Sequence, residues 1–283
     1  MNWKGLLLRL LLVGIAFPVL GSLILAVPQQ NHLGFNIVVV LASVAGAFET
    51  AGLFKARRIP TSRLLAPILS VTLPAGAWME LAGFLPPGWI GVWVPAAFCV
   101  LLTRSVLFQT KRELPAILSH ATSSFFTFLY PGFFLAYIVR ITGLPEPSLS
   151  VLFFLCLVFG NDMSAYLFGS LWGSSTRLNL PVSPQKSVVG FAAGLAGSLI
   201  MLGLFLLLAP GFPRFPIWES VLLSLGVGLM VILGDLLESG LKRSARVKDS
   251  GVIIPGRGGL LDSVDSMLFS APLFYYLFLV IPR

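Results

Sequence analysis

Nine apolar runs, each about 20 residues long, restrict the fold of this chain more than any other feature of its sequence. About 20 apolar residues are needed for an α-helix to cross the roughly 30 Å hydrocarbon core of a bilayer. Only 11% of the 283 residues are charged and 57% are hydrophobic, which leaves too little polar surface to cover a water-soluble domain. We therefore predict an all-α integral membrane protein, a polytopic helical bundle. Its predicted spans are approximately 6–27, 34–54, 64–83, 90–108, 120–139, 150–168, 187–209, 217–237 and 262–281.

Lysine and arginine are unevenly distributed between the loops. With the N-terminus in the cytoplasm, 16 of the 19 cations lie on the cytoplasmic side and three, Arg140, Arg214 and Arg283, lie outside. This asymmetry follows the positive-inside rule, so we expect a cytoplasmic N-terminus, the inner (cytoplasmic) membrane and a working face toward the cytoplasm. The net charge of +8 is then explained by topology, and we expect no nucleic-acid partner. The first run also resembles a signal peptide, but its length favours a span.

The aspartates are confined to the second half of the chain, at or near the predicted cytoplasmic ends of spans six, eight and nine. A carboxylate in or beside hydrocarbon is costly unless it is paired, hydrated or metal-bound, so each is a functional hypothesis. The sequence thus predicts an N-terminal region of five spans, 1–140, and a C-terminal catalytic region, 141–283, with cytoplasmic loops at 170–186 and 240–261.

Span eight ends in a polar pattern with helical spacing. If the helix continues, Asp235, Ser239 and Lys242 lie on one stripe, at positions i, i+4 and i+7. Such a stripe presents an acid, a hydroxyl and a cation to one cavity. The alternative for Lys242 and Arg243 is a pair of snorkelling cations at the interface, which leaves Asp235 unexplained.

The loop after span eight is basic and rich in glycine, with Arg246, Lys248 and Arg257 before Gly258 and Gly259. Consecutive glycines let backbone N–H groups approach phosphate oxygens, and the cations supply charge-assisted hydrogen bonds. The loop therefore suits an anion, although the glycine pair alone also fits a simple turn.

Span nine opens with two carboxylates, Asp262 and Asp265, about one helical turn apart. One interpretation makes Asp262 the N-cap and Asp265 the N3 residue, stabilised by the helix dipole. The other makes them ligands of a hard cation, since Mg²⁺ is usually held by one or two carboxylates together with substrate phosphates and water. With Asp235 entering from the adjacent span, we favour the metal interpretation.

The run from Ser239 to Asp265 closely resembles the signature of the phosphatidate cytidylyltransferases, or CDP-diacylglycerol synthases. Asp162 with Ala165-Tyr166, and the segment Ser183-Pro184-Gln185-Lys186-Ser187, resemble two upstream motifs of that family. The resemblance covers the chain from about residue 160 to its end. Three positions depart from the pattern: the family usually has His at Arg257, Arg at Ser263 and Glu at Val189.

The resemblance implies conversion of CTP and phosphatidate into CDP-diacylglycerol and pyrophosphate, with Mg²⁺ and a monovalent cation such as K⁺. It also implies a lipid substrate that enters from the bilayer, and a homodimer. The metal ligands that it implies are Asp235, Asp262 and Asp265. Further catalytic residues are Lys242, Lys248 and Asp249, and the substrate-binding set is Asp162, Ser183, Lys186, Ser239, Arg243, Arg257, Gly258 and Gly259.

Three alternatives stay open at the level of sequence. The departures at three signature positions are compatible with a catalytically divergent or inactive homologue, or with CTP-dependent transfer to another lipid acceptor. A transporter is the third alternative, but it predicts repeats or interrupted helices in both halves, whereas the charged motifs here occupy only one.

Overall fold

The computed structural model describes residues 18–26, 28–107, 114–213, 215–254 and 258–281, and these residues are predominantly helical. The first described helix, α1, covers 18–26. The helices that follow are α2 (Gln29–Ala56), α3 (Leu65–Leu81), α4 (Trp89–Leu107), α5 (Ile117–Ile141), α6 (Pro147–Trp172), α7 (Val188–Leu208), α8 (Ile217–Ala245) and α9 (Leu261–Val280). Short 3₁₀ turns at Leu114–Ala116 and Gly173–Thr176 adjoin α5 and α6. The prediction of an all-α protein is confirmed.

Seven of the described helices, α2 and α4 to α9, are long and apolar enough to cross a membrane. Helix α3 is also apolar but has only 17 residues. The predicted span at 6–27 falls largely on residues outside the described ones, so it stays a prediction. The chain is a multi-pass membrane protein.

The backbone divides into two compact units. The first unit contains Ile141–Gly240, Val264–Arg283 and the described part of Met1–Pro28, and the second contains Gln29–Arg140 and Leu241–Ser263. Each unit therefore combines segments that lie far apart in the sequence.

In the first unit, α6 and α7 approach each other through glycines. A Cβ placed on Gly197 of α7 would lie 2.4 Å from the carbonyl oxygen of Gly160 in α6, closer than side-chain carbons tolerate. Asn161, one residue further along α6, donates to Ser198 Oγ at 3.1 Å and to the Gly228 carbonyl oxygen of α8 at 3.3 Å. Small residues and a buried amide thus fix these helices where little hydrophobic force acts between them.

In the second unit, α2 packs between other helices near its C-terminal half. A Cβ on Gly46 would lie 3.3 Å from Pro131 of α5 and 3.8 Å from Leu261 at the start of α9. Prolines 74, 95 and 131 lie inside α3, α4 and α5, where neighbouring helices compensate for the lost backbone hydrogen bonds. The C-terminal end of α2 therefore lies beside the first turn of α9.

Helix α8 ends in a Schellman motif. The Arg246 N–H donates to the Arg243 carbonyl oxygen and the Val247 N–H donates to the Lys242 carbonyl oxygen, both at 3.0 Å. This pattern requires a left-handed residue one position past the helix, usually glycine, and here Arg246 adopts it with φ +59°. The motif satisfies the last carbonyl groups of α8 and turns the chain into the loop that leads to α9.

Candidate functional site

In the first unit, the loop before α7 places Lys186 against Asp235. The Leu178 N–H donates to the Lys186 carbonyl oxygen at 2.9 Å, and Ser187 Oγ caps α7 by accepting from the Gly190 N–H at 3.0 Å. Lys186 Nζ forms an ion pair with Asp235 Oδ2 of α8, and both side chains are more than a quarter exposed. Lys186 and Asp235, predicted from separate motifs, are therefore direct partners.

Ser239 extends this pair along α8. Its Oγ lies 3.4 Å from Asp235 Oδ1, as expected for residues four apart on a continuous helix. Helix α8 continues to Ala245. Asp235, Ser239 and Lys242 therefore lie on one continuous helix, as the predicted stripe requires.

Two more carboxylates of the first unit converge on one hydroxyl. Ser266 Oγ lies 3.2 Å from Asp162 Oδ1 of α6 and 3.3 Å from Asp265 Oδ1 of α9. Asp265 Oδ1 also accepts from the Ser266 N–H at 2.7 Å. A Cβ on Gly234 would lie 2.7 Å from the Asp265 carbonyl oxygen, so α8 and α9 are in close contact one residue before Asp235. Three predicted site residues of this unit, Asp162, Asp235 and Asp265, are thus held near the α8–α9 contact.

In the second unit, Asp262 is the centre of the loop that precedes α9. Its Oδ1 pairs with Lys242 Nζ, and its Oδ2 accepts from the Ser250 N–H at 2.8 Å, from Ser250 Oγ at 2.9 Å and from the Gly259 N–H at 2.7 Å. This pair is more enclosed than that of Lys186, with side-chain exposures of 14% for Lys242 and 5% for Asp262. One carboxylate therefore joins the end of α8 to both ends of the loop.

The structure corrects the N-cap interpretation of Asp262. Helix α9 begins at Leu261, so Asp262 lies inside its first turn. Its carboxylate reaches back to accept from the N–H of Gly259, three residues earlier. Asp265 is the fifth residue of α9, so it lies beyond the N3 position, and its Oδ1 accepts from the N–H of the next residue, Ser266.

A carboxylate that the sequence analysis did not assign, Glu49 of α2, contacts the same loop. Its Oε1 accepts from the Leu260 N–H and its Oε2 from the Leu261 N–H, both at 2.8 Å, and Ser250 Oγ lies 2.9 Å from Oε2. An acid within an apolar run is costly, and this was the one sequence feature that could have drawn attention to Glu49. Its partners lie about 200 residues further along the chain, so no local sequence pattern identifies them.

The two glycines before α9 are required by close packing. Gly258 has φ +110°, and its N–H donates to the Ile254 carbonyl oxygen at 3.0 Å. A Cβ on Gly259 would lie 2.1 Å from Ser250 Oγ and 2.4 Å from Glu49 Oε2. Both N–H groups donate within the protein in this structure, so their role as donors to a phosphate stays a prediction.

The remaining predicted residues lie at the surface or outside the described part of the chain. Arg243, Lys248 and Asp249 are exposed around the end of α8. Ser183 is half-buried in the loop before α7, where its N–H donates to the Leu180 carbonyl oxygen at 3.0 Å. Arg257 lies outside the described residues.

The predicted magnesium ligands provide oxygen donors of the type that Mg²⁺ prefers. Within the described ranges, no group of three or more Asp, Glu, His or Cys side chains is placed to hold a metal ion, so a shared site of Asp235, Asp262 and Asp265 stays a prediction. Mg²⁺ needs only one or two carboxylates when substrate phosphates and water complete its shell. Asp235 fits that requirement, because its Oδ1 makes a long 3.4 Å contact to Ser239 Oγ and the side chain is partly exposed.

Comparison with known proteins identifies related sequences along nearly the whole chain. The model of the "Cytidylyltransferase family" matches residues 8–281. A phosphatidate cytidylyltransferase of Synechocystis sp. is 31% identical over 272 residues, covering 86% of this chain and 87% of the relative. The Bacillus subtilis protein of the same name is 33% identical over 258 residues, with 87% and 89% covered. That of Staphylococcus saprophyticus is 40% identical over 142 residues, with 50% and 52% covered.

Proposed function

Because the chain belongs to the cytidylyltransferase family, we propose that it transfers the cytidylyl group of CTP to phosphatidate, giving CDP-diacylglycerol and pyrophosphate. A phosphate oxygen of phosphatidate forms a bond to the α-phosphorus of CTP, and the bond from that phosphorus to the bridging oxygen of the β-phosphate breaks. Pyrophosphate leaves with the electron pair, and no oxidant or reductant takes part. Since both reactants are anions, the principal task of the protein is to bind and orient negative charge.

The observation that supports this proposal most directly is a pair of lysine–aspartate contacts at positions that match the family motifs. Lys186 and Lys242 are each held by one aspartate, which fixes where the ammonium groups lie before substrate binds. Such preorganisation reduces the reorganisation needed when the phosphates bind.

The two pairs suit different tasks, because their exposure differs. Partly exposed ion pairs are worth only about 0–1 kcal/mol, so Lys186 exchanges Asp235 for a substrate phosphate at little cost. The Lys242–Asp262 pair is more enclosed, and separating it costs more. We assign Lys186 to direct phosphate binding, and Lys242 to a cation held in a fixed position.

Mg²⁺ is part of this proposal, with Asp235 as a ligand in the first unit. When bound, Mg²⁺ neutralises charge on the phosphates and so favours attack and departure of pyrophosphate. Ser239 Oγ lies beside Asp235 Oδ1, so it orients the carboxylate, and the move of Lys186 to the phosphate frees Asp235 Oδ2 for the metal. K⁺ and a homodimer are further expectations from the family resemblance.

Release of pyrophosphate by the detergent-purified protein tests the proposal. Release should require CTP, phosphatidate and Mg²⁺ together, should stop with EDTA, and should fail when ATP replaces CTP. Lys186→Met should lower turnover at least about tenfold, because a charge-assisted phosphate contact is lost. Release with another lipid acceptor but not with phosphatidate would overturn the substrate assignment, and no release with any acceptor would overturn the activity.

Location in the inner membrane, with the loop 246–260 between α8 and α9 in the cytoplasm, belongs to the same proposal. Its support is the 16-to-3 distribution of Lys and Arg. Val252 is 93% exposed in that loop, so Val252→Cys, in a chain with Cys99 and Cys156 replaced by Ser, provides a labelling site. A membrane-impermeant maleimide should label inside-out vesicles and leave intact cells unlabelled; the opposite result would reverse the topology.

A further inference from the structure

Glu49 is an acid buried within a membrane helix, and the proposed chemistry does not use it directly. Its residue exposure is 7%, and it lies inside the candidate span Gln29–Ala56. An ionised side chain at such a position is expensive unless donors surround it. The three hydrogen bonds from Leu260, Leu261 and Ser250 provide that compensation, so the carboxylate and the loop stabilise each other.

The first turn of α9 depends on this carboxylate. A helix leaves its first N–H groups without intrahelical partners, and a side chain at the N-cap normally accepts from them. The residue that precedes α9 is Leu260, which has no such acceptor. Glu49 accepts from the N–H groups of Leu260 and Leu261 instead, and its negative charge lies at the positive end of the helix dipole.

Ser250 connects Glu49 to Asp262. Its Oγ lies 2.9 Å from Glu49 Oε2 and 2.9 Å from Asp262 Oδ2, and its N–H also donates to Asp262. Because one hydroxyl carries one hydrogen, the two acids compete for it while both stay in contact with the same residue. A displacement of Glu49 therefore disturbs the hydrogen bonding of Asp262 through the Ser250 side chain.

The loop also follows the shape of the Glu49 side chain. A Cβ on Gly251 would lie 2.5 Å from Glu49 Oε1, and a Cβ on Gly259 would lie 2.4 Å from Oε2. The backbone approaches the carboxylate on two sides, at distances that only glycine permits. Both ends of the loop are therefore packed around the Glu49 carboxylate.

We propose that Glu49 is a positioning residue for the cytidylyl transfer: through the start of α9 and Ser250, it fixes Asp262 and hence Lys242. This inference rests on the proposed function. Glu49 contacts the loop and not the substrate, so its substitution should impair the alignment of the reacting groups more than substrate binding.

Glu49→Gln is the sharpest test because it preserves size and removes one acceptor. A carboxamide has one oxygen, so its NH₂ group must face either Leu260 N–H, or Leu261 N–H and Ser250. We expect kcat to fall about tenfold to a hundredfold, as displacements near 1 Å can do, while KM for CTP and for phosphatidate changes less than about threefold.

Glu80→Gln is the matched control in the same unit. Glu80 is also a part-buried glutamate; its Oε1 accepts from the Gly88 N–H at 2.8 Å and its Oε2 pairs with Arg140 at 2.6 Å. It has no role in the proposed reaction. We expect Glu80→Gln to lower thermal stability about as much as Glu49→Gln while leaving kcat within about twofold.

Hydrogen–deuterium exchange of residues 250–262 gives a readout that does not need activity. Glu49→Gln should exchange these amides at least about tenfold faster than the wild type, and Glu80→Gln should not. Unchanged exchange in Glu49→Gln, a kcat within about threefold of the wild type, or an effect confined to KM would each overturn the inference. An inactive wild-type protein would instead reject the proposed function, and the exchange comparison would still decide whether Glu49 orders the loop.

Discussion

Replacing Asp262 by Asn places a hydrogen-bond donor against other donors at the enclosed Lys242–Asp262 ion pair. The carboxylate accepts from Lys242 through Oδ1 and from Ser250 and Gly259 through Oδ2. If the single oxygen of Asn keeps the contacts to Ser250 and Gly259, its NH₂ group faces the Lys242 ammonium. The alternative orientation turns NH₂ toward two N–H groups. Either orientation leaves donors without an acceptor and removes the negative charge of Asp262 from beside Lys242.

The size of the effect follows from the burial of the pair. A hydrogen bond to a charged group is worth about 1.5–3 kcal/mol, and breaking a fully buried pair costs about 3–5 kcal/mol. Since Lys242 is 14% exposed, water partly solvates the remaining ammonium, and we expect a loss of about 2–3 kcal/mol. Lys242→Met should cost a similar amount because it leaves the Asp262 charge unpaired. The double variant leaves no lone charge, so we expect it to regain about 1–2 kcal/mol relative to additivity.

Denaturant unfolding in detergent micelles and pyrophosphate release together test this reasoning. All three variants should lose at least about a hundredfold in turnover. The double variant regains part of the stability, but it still lacks the two charges that the reaction needs. Stabilities that add within about 0.5 kcal/mol would refute the direct coupling of Lys242 and Asp262. Recovery of turnover in the double variant would refute a chemical role for the pair.

Three further predictions concern single positions around the loop. Gly259→Ala places a Cβ 2.1 Å from Ser250 Oγ and should destabilise the protein by about 1–3 kcal/mol. Gly52→Ala is the control, because nothing lies within 4 Å of its Cβ, and it should not destabilise the protein. Thermal unfolding of the two variants tests this difference. Arg246→Gly removes a left-handed non-glycine residue with φ +59° and should raise stability by up to about 1 kcal/mol, and a lowered melting temperature would contradict this. Arg257→His restores the residue usual in the family, and we expect kcat/KM to stay within about threefold, whereas a rise above tenfold would show that Arg does not replace the histidine.

The helices were predictable because the bilayer imposes its length requirement on each segment separately. The prediction of 217–237 for span eight begins where α8 begins, at Ile217, but ends before Ala245. The difference arises because α8 continues through polar residues and stops at a left-handed arginine, Arg246. A glycine there would have marked the end of the helix; an arginine gives no such local signal.

The side-chain partners in the site were less accessible to sequence reasoning. Spacing and the cost of charge near hydrocarbon identified Asp235, Lys242 and Asp262 as candidates, and the family resemblance added Lys186. Which lysine faces which aspartate depends on how α7, α8 and α9 are placed, and spacing within one segment does not encode that placement. Sequence reasoning therefore identifies the chemistry of such a site more readily than its connections.

Glu49 also shows why the concentration of charged motifs in one half of the chain is an incomplete guide to what the site needs. The segment Leu241–Ser263 belongs to the same compact unit as Gln29–Arg140, and α2 supplies the acceptors for the N–H groups at the start of α9. A chain that began at residue 141 would retain Lys242 and Asp262 but would leave Leu260 and Leu261 without those acceptors. The apolar helices of the N-terminal half thus contribute one acid whose chemical role is to hold the polar loop in place.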